Sequence, residues 1–378
     1  MAQVLEEQRE LAATLAAGSE AAAARVYAYD VRVTPLEETS LLRGGAGVQG
    51  AWLKVDSEQV TGSFKARGAV NALSAMPLDQ RAQGVVAAST GNHALAVALA
   101  LRRVPGFEGA ANSIWLPSTV AAVKLDALKS VDAPVRVTDM PDCGVVEASA
   151  RAHALSTGAA YVSPYNDVLV SAGQGTAGLE IAEQLEAALT ATTAPGPLVV
   201  FVPIGGGGLI TGVAASLKSR WRRSRCCVIG VQPDTNACML HSVAAGRVLN
   251  DGEFDDGDTW SDGTAGGIEA GAFTFDACKH ANTRREAVLA MLQELRSGAP
   301  VAEAPLVDAL WAVSEDALKQ GMRDVLDAHH KVIEGAAGMT VAAAQELARM
   351  GALDGCLVVA FVCGGNLATS RLRELLQE

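Results

Sequence analysis

The chain has 378 residues, more than one hydrophobic core usually holds, which predicts two structural units rather than one small module. Apolar residues make up 49 % of the sequence and charged residues 19 %, a composition that excludes a disordered chain. The formal net charge of −12 gives no support for a nucleic-acid-binding surface. We therefore expect small-molecule ligands and no nucleic-acid partner.

No stretch of about 18 or more residues is uniformly apolar, so we predict neither a membrane-spanning segment nor a membrane partner. The N-terminal segment contains several glutamates and lacks both an apolar signal core and the arginine-rich character of an organelle presequence. This pattern favours a cytoplasmic protein. The seven cysteines show no CxxC spacing, so the sequence predicts neither a disulfide framework nor a zinc site.

Along the chain, short apolar runs alternate with alanine-rich stretches of helical length. The runs predict strands over residues 84–88, 113–116, 198–203, 228–231 and 357–362. Helices are predicted over 92–101 and 209–219. This alternation indicates an α/β fold, in which ligands bind beyond the carboxyl ends of parallel strands. Residues 250–272, hereafter the acidic loop, have little periodicity, and we interpret them as a long, solvated surface loop.

Four consecutive glycines, hereafter the glycine loop, stand between a predicted strand and a predicted helix. A glycine run at a helix start exposes backbone amides at the positive end of the helix dipole, which predicts an anion cradle. Neither the GK[ST] of a Walker loop nor GxGxxG is present, so we expect a phosphate-bearing cofactor other than a nucleotide. A flexible turn is the alternative interpretation. The four residues are Gly205, Gly206, Gly207 and Gly208.

Three further motifs carry candidate chemistry. Lys65 lies in SFKARG, where small and apolar neighbours could lower its pKa enough for imine chemistry; a solvated surface lysine is the alternative. In STGNH, at residues 89–93, backbone amides could hold a carboxylate and Asn92 a hydroxyl, although an ordinary helix cap has the same composition. Cys363 precedes two glycines at a strand end, where it either approaches a cofactor ring or packs inertly.

In this order, SFKARG, STGNH, GGGG and CGGN resemble the fold-type II pyridoxal-phosphate enzymes, in the branch of threonine and serine dehydratases that includes serine racemase. The resemblance runs from Thr34 to Asn366, and the segments 163–181 and 333–338 agree with it. It implies pyridoxal 5'-phosphate as cofactor. It also implies the α/β fold of the tryptophan synthase β-like group, with two open, twisted, mostly parallel sheets and helices on both faces.

The resemblance further implies a discontinuous large domain, residues 1–75 and 165–378, into which a small substrate-binding domain, residues 76–164, is inserted. The cofactor would lie between the two domains. Relatives are commonly dimers, so a homodimer is expected. Biosynthetic threonine deaminases carry a regulatory domain after the catalytic one, whereas this chain ends twelve residues after Asn366. We therefore expect no C-terminal regulatory domain.

Site residues follow from the resemblance residue by residue. Lys65 corresponds to the lysine that binds the cofactor covalently and later moves a proton, and it is the single catalytic residue that we assign. The remaining cofactor-binding residues would be Phe64, Asn92 at the ring hydroxyl, Cys363 at the ring nitrogen and Glu334. The cofactor phosphate would be held by Gly205, Gly206, Gly207, Gly208 and Leu209. The substrate carboxylate would be held by Ser89, Thr90, Gly91, Asn92 and His93.

The implied reaction is α,β-elimination, which converts L-threonine, L-serine or a related β-hydroxy amino acid to a 2-oxo acid and ammonia. The alternatives on the same scaffold are a racemase of serine or another amino acid and a threo-3-hydroxyaspartate ammonia-lyase. In serine racemases a serine acts as acid and base at the position of Thr90, so we favour the lyase. A non-catalytic ligand-binding or regulatory homologue is the alternative of a different class, and the presence of Lys65 and of every cofactor-facing motif disfavours it.

No metal site is predicted. The racemase-like members bind a divalent cation through two carboxylates, whose positions are occupied here by Gln232 and Cys238, with Asp234 nearby. A hard cation needs anionic oxygen ligands, so we expect weak or absent dependence on Mg²⁺ or Ca²⁺ through this segment. His329 and His330 are adjacent and have no third ligand in view, so no metal is assigned to them.

Overall fold

The computed structural model describes residues 2–44, 47–189, 195–221, 225–298 and 304–377. The described strands are β1 (Leu36–Glu38), β2 (Gly50–Val55), β3 (Val85–Ala88), β4 (Ser113–Leu116), β5 (Val135–Val137), β6 (Ala160–Tyr161), β7 (Leu198–Pro203), β8 (Cys226–Pro233), β9 (Ala309–Val313) and β10 (Leu357–Val362). The described helices are α1 (Ala2–Ala28), α2 (Lys65–Ala75), α3 (Leu78–Gln83), α4 (Asn92–Arg103), α5 (Ala122–Ser130), α6 (Cys143–Thr157), α7 (Val168–Ala188), α8 (Gly208–Arg220), α9 (Cys238–Ala245), α10 (Phe273–Cys278), α11 (Arg285–Ser297), α12 (Glu315–His329), α13 (Gly335–Arg349) and α14 (Thr369–Gln377).

The larger sheet has six strands in the order β1-β2-β10-β7-β8-β9. Only β1 pairs in the antiparallel sense; the other neighbours are parallel. Strands β2, β7, β8 and β10 are buried along their whole length, as expected for parallel strands covered by helices. Helix α8 packs against β7 and β8, and helix α13 packs against β7 to β10.

The smaller sheet has four parallel strands in the order β5-β4-β3-β6. All four lie between Val85 and Tyr161, so this sheet is built from one continuous piece of the chain. The strands of the larger sheet come from both sides of that piece. Two open sheets, one wholly and one mostly parallel, confirm the predicted fold class.

The five strands predicted from apolar runs are present, with ends shifted by up to two residues. Both predicted helices are present: α4 continues beyond residue 101, and α8 is one residue longer at each end. None of the described helices is both long and apolar enough to cross a membrane.

The acidic loop is a surface loop, as predicted, but its second half is not solvated at every position. No helix or strand forms within residues 250–272, as predicted, and the first half is mostly exposed. However, the side chains of Ser261, Thr264, Ile268 and Ala272 are buried. The loop folds back onto the protein because these small and apolar residues, spaced three or four apart, supply a face that packs inward.

Candidate active site

The candidate site lies where strands of both sheets end. Residues 89–93 follow β3 of the smaller sheet, the glycine loop follows β7, and Cys363 follows β10 of the larger sheet. The carboxyl ends of parallel strands share one edge of a sheet, so motifs far apart in sequence come together there.

Lys65 is the first residue of α2 and is half-buried. Its Nζ donates a hydrogen bond to the carbonyl oxygen of Pro164 at 2.8 Å and lies 5.1 Å from the centre of the Phe64 ring. Burial lowers the pKa of the Lys65 amine to about 8, although Cys363 and Glu334 act in the opposite direction. With this pKa, about a tenth of the amine is neutral at pH 7, which supplies the unprotonated form that a nucleophile or base requires.

Cys363 contacts Phe64, the residue before the lysine, through its backbone. Its side chain is 3 % exposed, and its carbonyl oxygen accepts a hydrogen bond from the Phe64 amide at 2.9 Å. Burial raises the pKa of the Cys363 thiol well above its ordinary value, so the thiol stays neutral. A Cβ atom at Gly364 would lie 2.7 Å from Glu334 Oε2, so the residue after the cysteine has to be small.

Asn92, Glu334 and Asn366 form a hydrogen-bonded cluster beside the lysine. Asn92 Nδ2 donates to both carboxylate oxygens of Glu334 at 3.0 Å, and the Asn366 amide donates to Oε1 at 2.9 Å. Asn366 Nδ2 donates to Asn92 Oδ1 at 2.7 Å. Burial raises the pKa of Glu334 despite these donors. The cluster fixes Asn92 at the start of α4, relative to both sheets.

His93 is buried and neutral. Its Nε2 lies 2.9 Å from the carbonyl oxygen of Val162, an arrangement that requires this nitrogen to carry the proton and donate. Burial and the nearby Lys65 lower the pKa of His93 to about 3. The imidazole therefore binds the chain end that leaves β6 and does not titrate near neutral pH. Ser89, Thr90 and Gly91 are half-buried in the turn before it, and the Gly91 amide donates to Ser89 Oγ at 3.2 Å.

The glycine loop presents unpaired amides. Within the described residues, no acceptor binds the amides of five consecutive residues: Gly205, Gly206, Gly207, Gly208 and Leu209. Gly207 has a φ of +91°, which side-chain-bearing residues rarely adopt. Unpaired buried amides are costly in a folded protein, so this row at the start of α8 fits an anionic group such as a phosphate.

Tyr165 covers the glycine loop. A Cβ atom at Gly206 would lie 2.4–2.5 Å from three atoms of the tyrosine ring, and one at Gly208 would lie 2.8 Å from the tyrosine Cα. On another side of the loop, a Cβ at Gly205 would lie 3.0 Å from the Cα of Thr264 in the acidic loop. Glycine is thus required here for close packing as well as for access to the amides.

Sequence reasoning missed the contribution of residues 162–166, hereafter the crossover segment, which joins β6 of the smaller sheet to α7. It provides the oxygen acceptors for His93 and Lys65 and the ring on the glycine loop. The segment SPYND lies within the stretch that carries the family resemblance, yet a backbone oxygen leaves no signature in a sequence. Asn366 belongs to the CGGN motif, yet the sequence alone does not assign its side chain to the site.

A buried ion network holds α2 in place. Arg67 donates from Nε to Asp56 Oδ2 at 2.7 Å and from Nη2 to Glu180 Oε2 at 2.9 Å. Lys54 Nζ donates to the same Glu180 oxygen at 2.5 Å. The side chains are at most 3 % exposed, and two cations face two anions. Arg67 lies two residues after Lys65, so the network anchors the first turn of the helix that carries the lysine.

Gln232 and Cys238, at the positions of the metal-binding carboxylates in the resemblance, make other contacts. Gln232 Oε1 accepts a hydrogen bond from the Leu240 amide at 2.9 Å, and Cys238 Sγ lies 3.9 Å from Ser242 Oγ. In the described ranges, no group of three or more histidine, cysteine, aspartate or glutamate side chains could hold a metal ion. His329 contacts Thr39 and Glu37 instead.

Comparison with known proteins gives concordant matches. A family model described as pyridoxal-phosphate dependent enzyme matches residues 27–364. The chain is 32 % identical over 358 residues to the biosynthetic L-threonine dehydratase of Burkholderia multivorans, which covers 93 % of this chain and 61 % of that protein. It is 32 % identical over 350 residues to the L-threonine ammonia-lyase of Thermotoga maritima, covering 92 % and 75 %. The chain spans about half to three fifths of the length of several curated relatives that it matches.

The fold is also similar to that of a solved structure. The processed form of threonine deaminase isoform 2 from Solanum lycopersicum aligns with a TM-score of 0.78 at 27 % identity, over 98 % of this chain and 88 % of that one.

Proposed function

This chain belongs to the family of pyridoxal-phosphate-dependent enzymes, and on that premise we propose that it is an ammonia-lyase. It would convert L-threonine, and L-serine or related β-hydroxy amino acids, to a 2-oxo acid and ammonia. The matched dehydratase and ammonia-lyase act on L-threonine by name, which supports this substrate class. The observation that carries the proposal is Lys65, a half-buried lysine with a lowered pKa at the junction of both sheets.

The residues present fit pyridoxal phosphate. Five unpaired amides at residues 205–209 would hold its phosphate, and Phe64 would pack on its ring beside Lys65. Asn92 would hold the ring hydroxyl, and Cys363 would face the ring nitrogen. Glu334 would support the site through its hydrogen bonds to Asn92.

Lys65 supplies the acid–base chemistry. Its neutral amine would accept the α-proton of the substrate, and its lowered pKa allows it to do so near neutral pH. The cofactor, when bound, withdraws the electron pair that remains on the α-carbon. The β-hydroxyl then leaves as water after receiving a proton, and hydrolysis of the resulting enamine gives the 2-oxo acid and ammonia.

The neutral thiol of Cys363 favours elimination. A thiol with a raised pKa would offer the ring nitrogen a weak hydrogen bond, whereas a carboxylate would keep that nitrogen protonated. The electron pair would therefore be held less firmly, and loss of the β-hydroxyl would compete well with reprotonation.

The carboxylate of the substrate would bind at residues 89–93, where Ser89, Thr90 and Gly91 precede the start of α4. Thr90 has a hydroxyl that could deliver a proton from the face opposite Lys65, as a racemase requires. Its additional methyl group makes it a poorer match for that task than a serine, which supports the ranking of lyase above racemase.

We further propose a domain organisation and an oligomeric state for the enzyme. Residues 1–75 and 165–378 would form a large domain and residues 76–164 a small one, in line with the separate sheets. The enzyme would act as a cytoplasmic homodimer and without a divalent metal ion.

The test combines a spectrum with product analysis. Addition of pyridoxal phosphate to the purified protein should produce a visible absorption band that Lys65→Ala abolishes and Lys331→Ala retains. L-Threonine should then yield 2-oxobutanoate and ammonia. Persistence of the band in Lys65→Ala would refute the assigned lysine. Faster formation of D-serine from L-serine than of pyruvate would make the racemase correct, and faster turnover of threo-3-hydroxyaspartate would change the preferred substrate.

A further inference from the structure

Glu269, in the acidic loop, contacts residues on both sides of Pro164, whose carbonyl oxygen accepts the hydrogen bond from Lys65. The backbone amide of Glu269 donates to the Tyr165 hydroxyl at 2.9 Å, and its Oε2 accepts from Asn166 Nδ2, also at 2.9 Å. Ser163 Oγ lies 3.5 Å from Oε1 of the same carboxylate. Glu269 thus contacts three of the five residues of the crossover segment, on either side of Pro164.

The crossover segment meets each part of the candidate site. Its Pro164 oxygen accepts the Lys65 hydrogen bond, and its Tyr165 ring rests on the glycine loop. His93, in the first turn of α4, hydrogen-bonds to its first residue, Val162. A displacement of this segment would therefore disturb Lys65, the glycine loop and the start of α4 together.

The carboxylate of Glu269 has a fixed cationic partner. Arg151, on α6, forms ion pairs with both Glu147 and Glu269, and its guanidinium lies 4.2 Å from the centre of the Tyr161 ring. The Glu269 side chain is 22 % and the Arg151 side chain 34 % exposed, so both are largely shielded from water. The acidic loop is thereby bound to a helix that packs on the smaller sheet.

We propose that Glu269 is a positioning residue, which holds the crossover segment so that Pro164 and Tyr165 are fixed against Lys65 and the glycine loop. This inference rests on the proposed role of Lys65. The second half of the acidic loop would then form part of the wall of the site, a role that its composition does not indicate.

The test measures the titration of Lys65 in the full-length chain without cofactor. Lysines are labelled with ¹³C-formaldehyde by reductive methylation, and the Lys65 signal is identified by its absence in Lys65→Ala. In Glu269→Ala the crossover segment should loosen and admit water. Because burial is the main cause of the lowered pKa, the titration midpoint should rise from about 8 by about half a pH unit or more. Turnover of L-threonine should fall on the order of tenfold, since small misplacements of reacting groups are costly.

Glu147→Gln is the matched control, because it removes an ion pair of the same arginine without a hydrogen bond to the crossover segment. It should leave the midpoint and turnover close to wild type. An unchanged midpoint in Glu269→Ala would overturn the proposal. If that variant does not fold, Glu269→Leu, which keeps a side chain of similar size but offers Asn166 and Ser163 no acceptor, decides by the same measurement. A wild-type protein inactive on L-threonine would refute the proposed function, yet the midpoint comparison would still test Glu269.

Discussion

Arg67 and Asp56 form an ion pair in which Nε and Oδ2 are 2.7 Å apart and neither side chain is exposed. Glu180 and Lys54 complete the network. Although burial favours the neutral form, the two carboxylates prevail and raise the pKa of Arg67 above its ordinary value. The guanidinium is therefore charged at every accessible pH, and its charge compensates the two buried carboxylates.

We predict that Arg67→Met lowers the free energy of unfolding by about 3–5 kcal/mol, because two buried carboxylates would remain with one cation. Urea unfolding followed by circular dichroism measures the change. Arg103→Ala is the control: it removes an ion pair with Asp30, which is 80 % exposed, and should cost at most about 1 kcal/mol. Equal small losses in both variants would show that the network does not stabilise the fold.

The lowered pKa of Lys65 predicts its reactivity. In the protein without cofactor, the rate of reductive labelling of Lys65 by an aldehyde should rise about tenfold per pH unit and level off near pH 8, where the amine becomes neutral. Lys331 serves as an internal reference, since Glu58 and Glu37 outweigh its partial burial and raise its pKa above the ordinary value of a lysine. Its labelling should still increase beyond pH 10. Mass spectrometry of peptides resolves the two sites, and parallel profiles would contradict the assigned environment of Lys65.

The sequence indicates the central strands but not the edges of the sheets, for physical reasons. Strands β7 and β10 are buried on both faces and read as continuous apolar runs. Strands β1, β5 and β6 have two or three residues, lie at sheet edges and are partly exposed, so no periodicity marks them. Strand β2 is also fully buried, but Lys54 interrupts its apolar run. This lysine can be buried because Glu180, far along the chain, neutralises its charge.

The candidate site shows the same division. Lys65, Asn92 and the glycine loop occur in unusual local motifs, which can be found without a structure. Pro164 contributes a backbone oxygen, and Glu269 lies in a loop without periodicity. Their importance arises only from tertiary contacts between segments about a hundred residues apart.

Independence from divalent metal ions is a third prediction. Gln232 already uses its oxygen to bind the amide of Leu240, and Cys238 offers a thiol where a cation would need a carboxylate. Incubation with a chelator should leave the turnover of L-threonine unchanged, and added Mg²⁺ or Ca²⁺ should not shift the thermal unfolding midpoint. Activity lost to the chelator and restored by Mg²⁺ would prove the prediction wrong.

The packing of the glycine loop gives a fourth prediction. In Gly206→Ala the new methyl group would overlap the Tyr165 ring, where three atoms lie within 2.5 Å of the Cβ position, so either the ring or the loop has to move. Displacement of the amides should weaken the binding of pyridoxal phosphate by on the order of tenfold or more, as measured by absorbance titration. Gly263→Ala is the matched control in the acidic loop, because its Cβ would meet no atom within 4 Å. If both variants bind the cofactor like wild type, the loop adapts to the added methyl group and close contact with Tyr165 is not needed for the cradle.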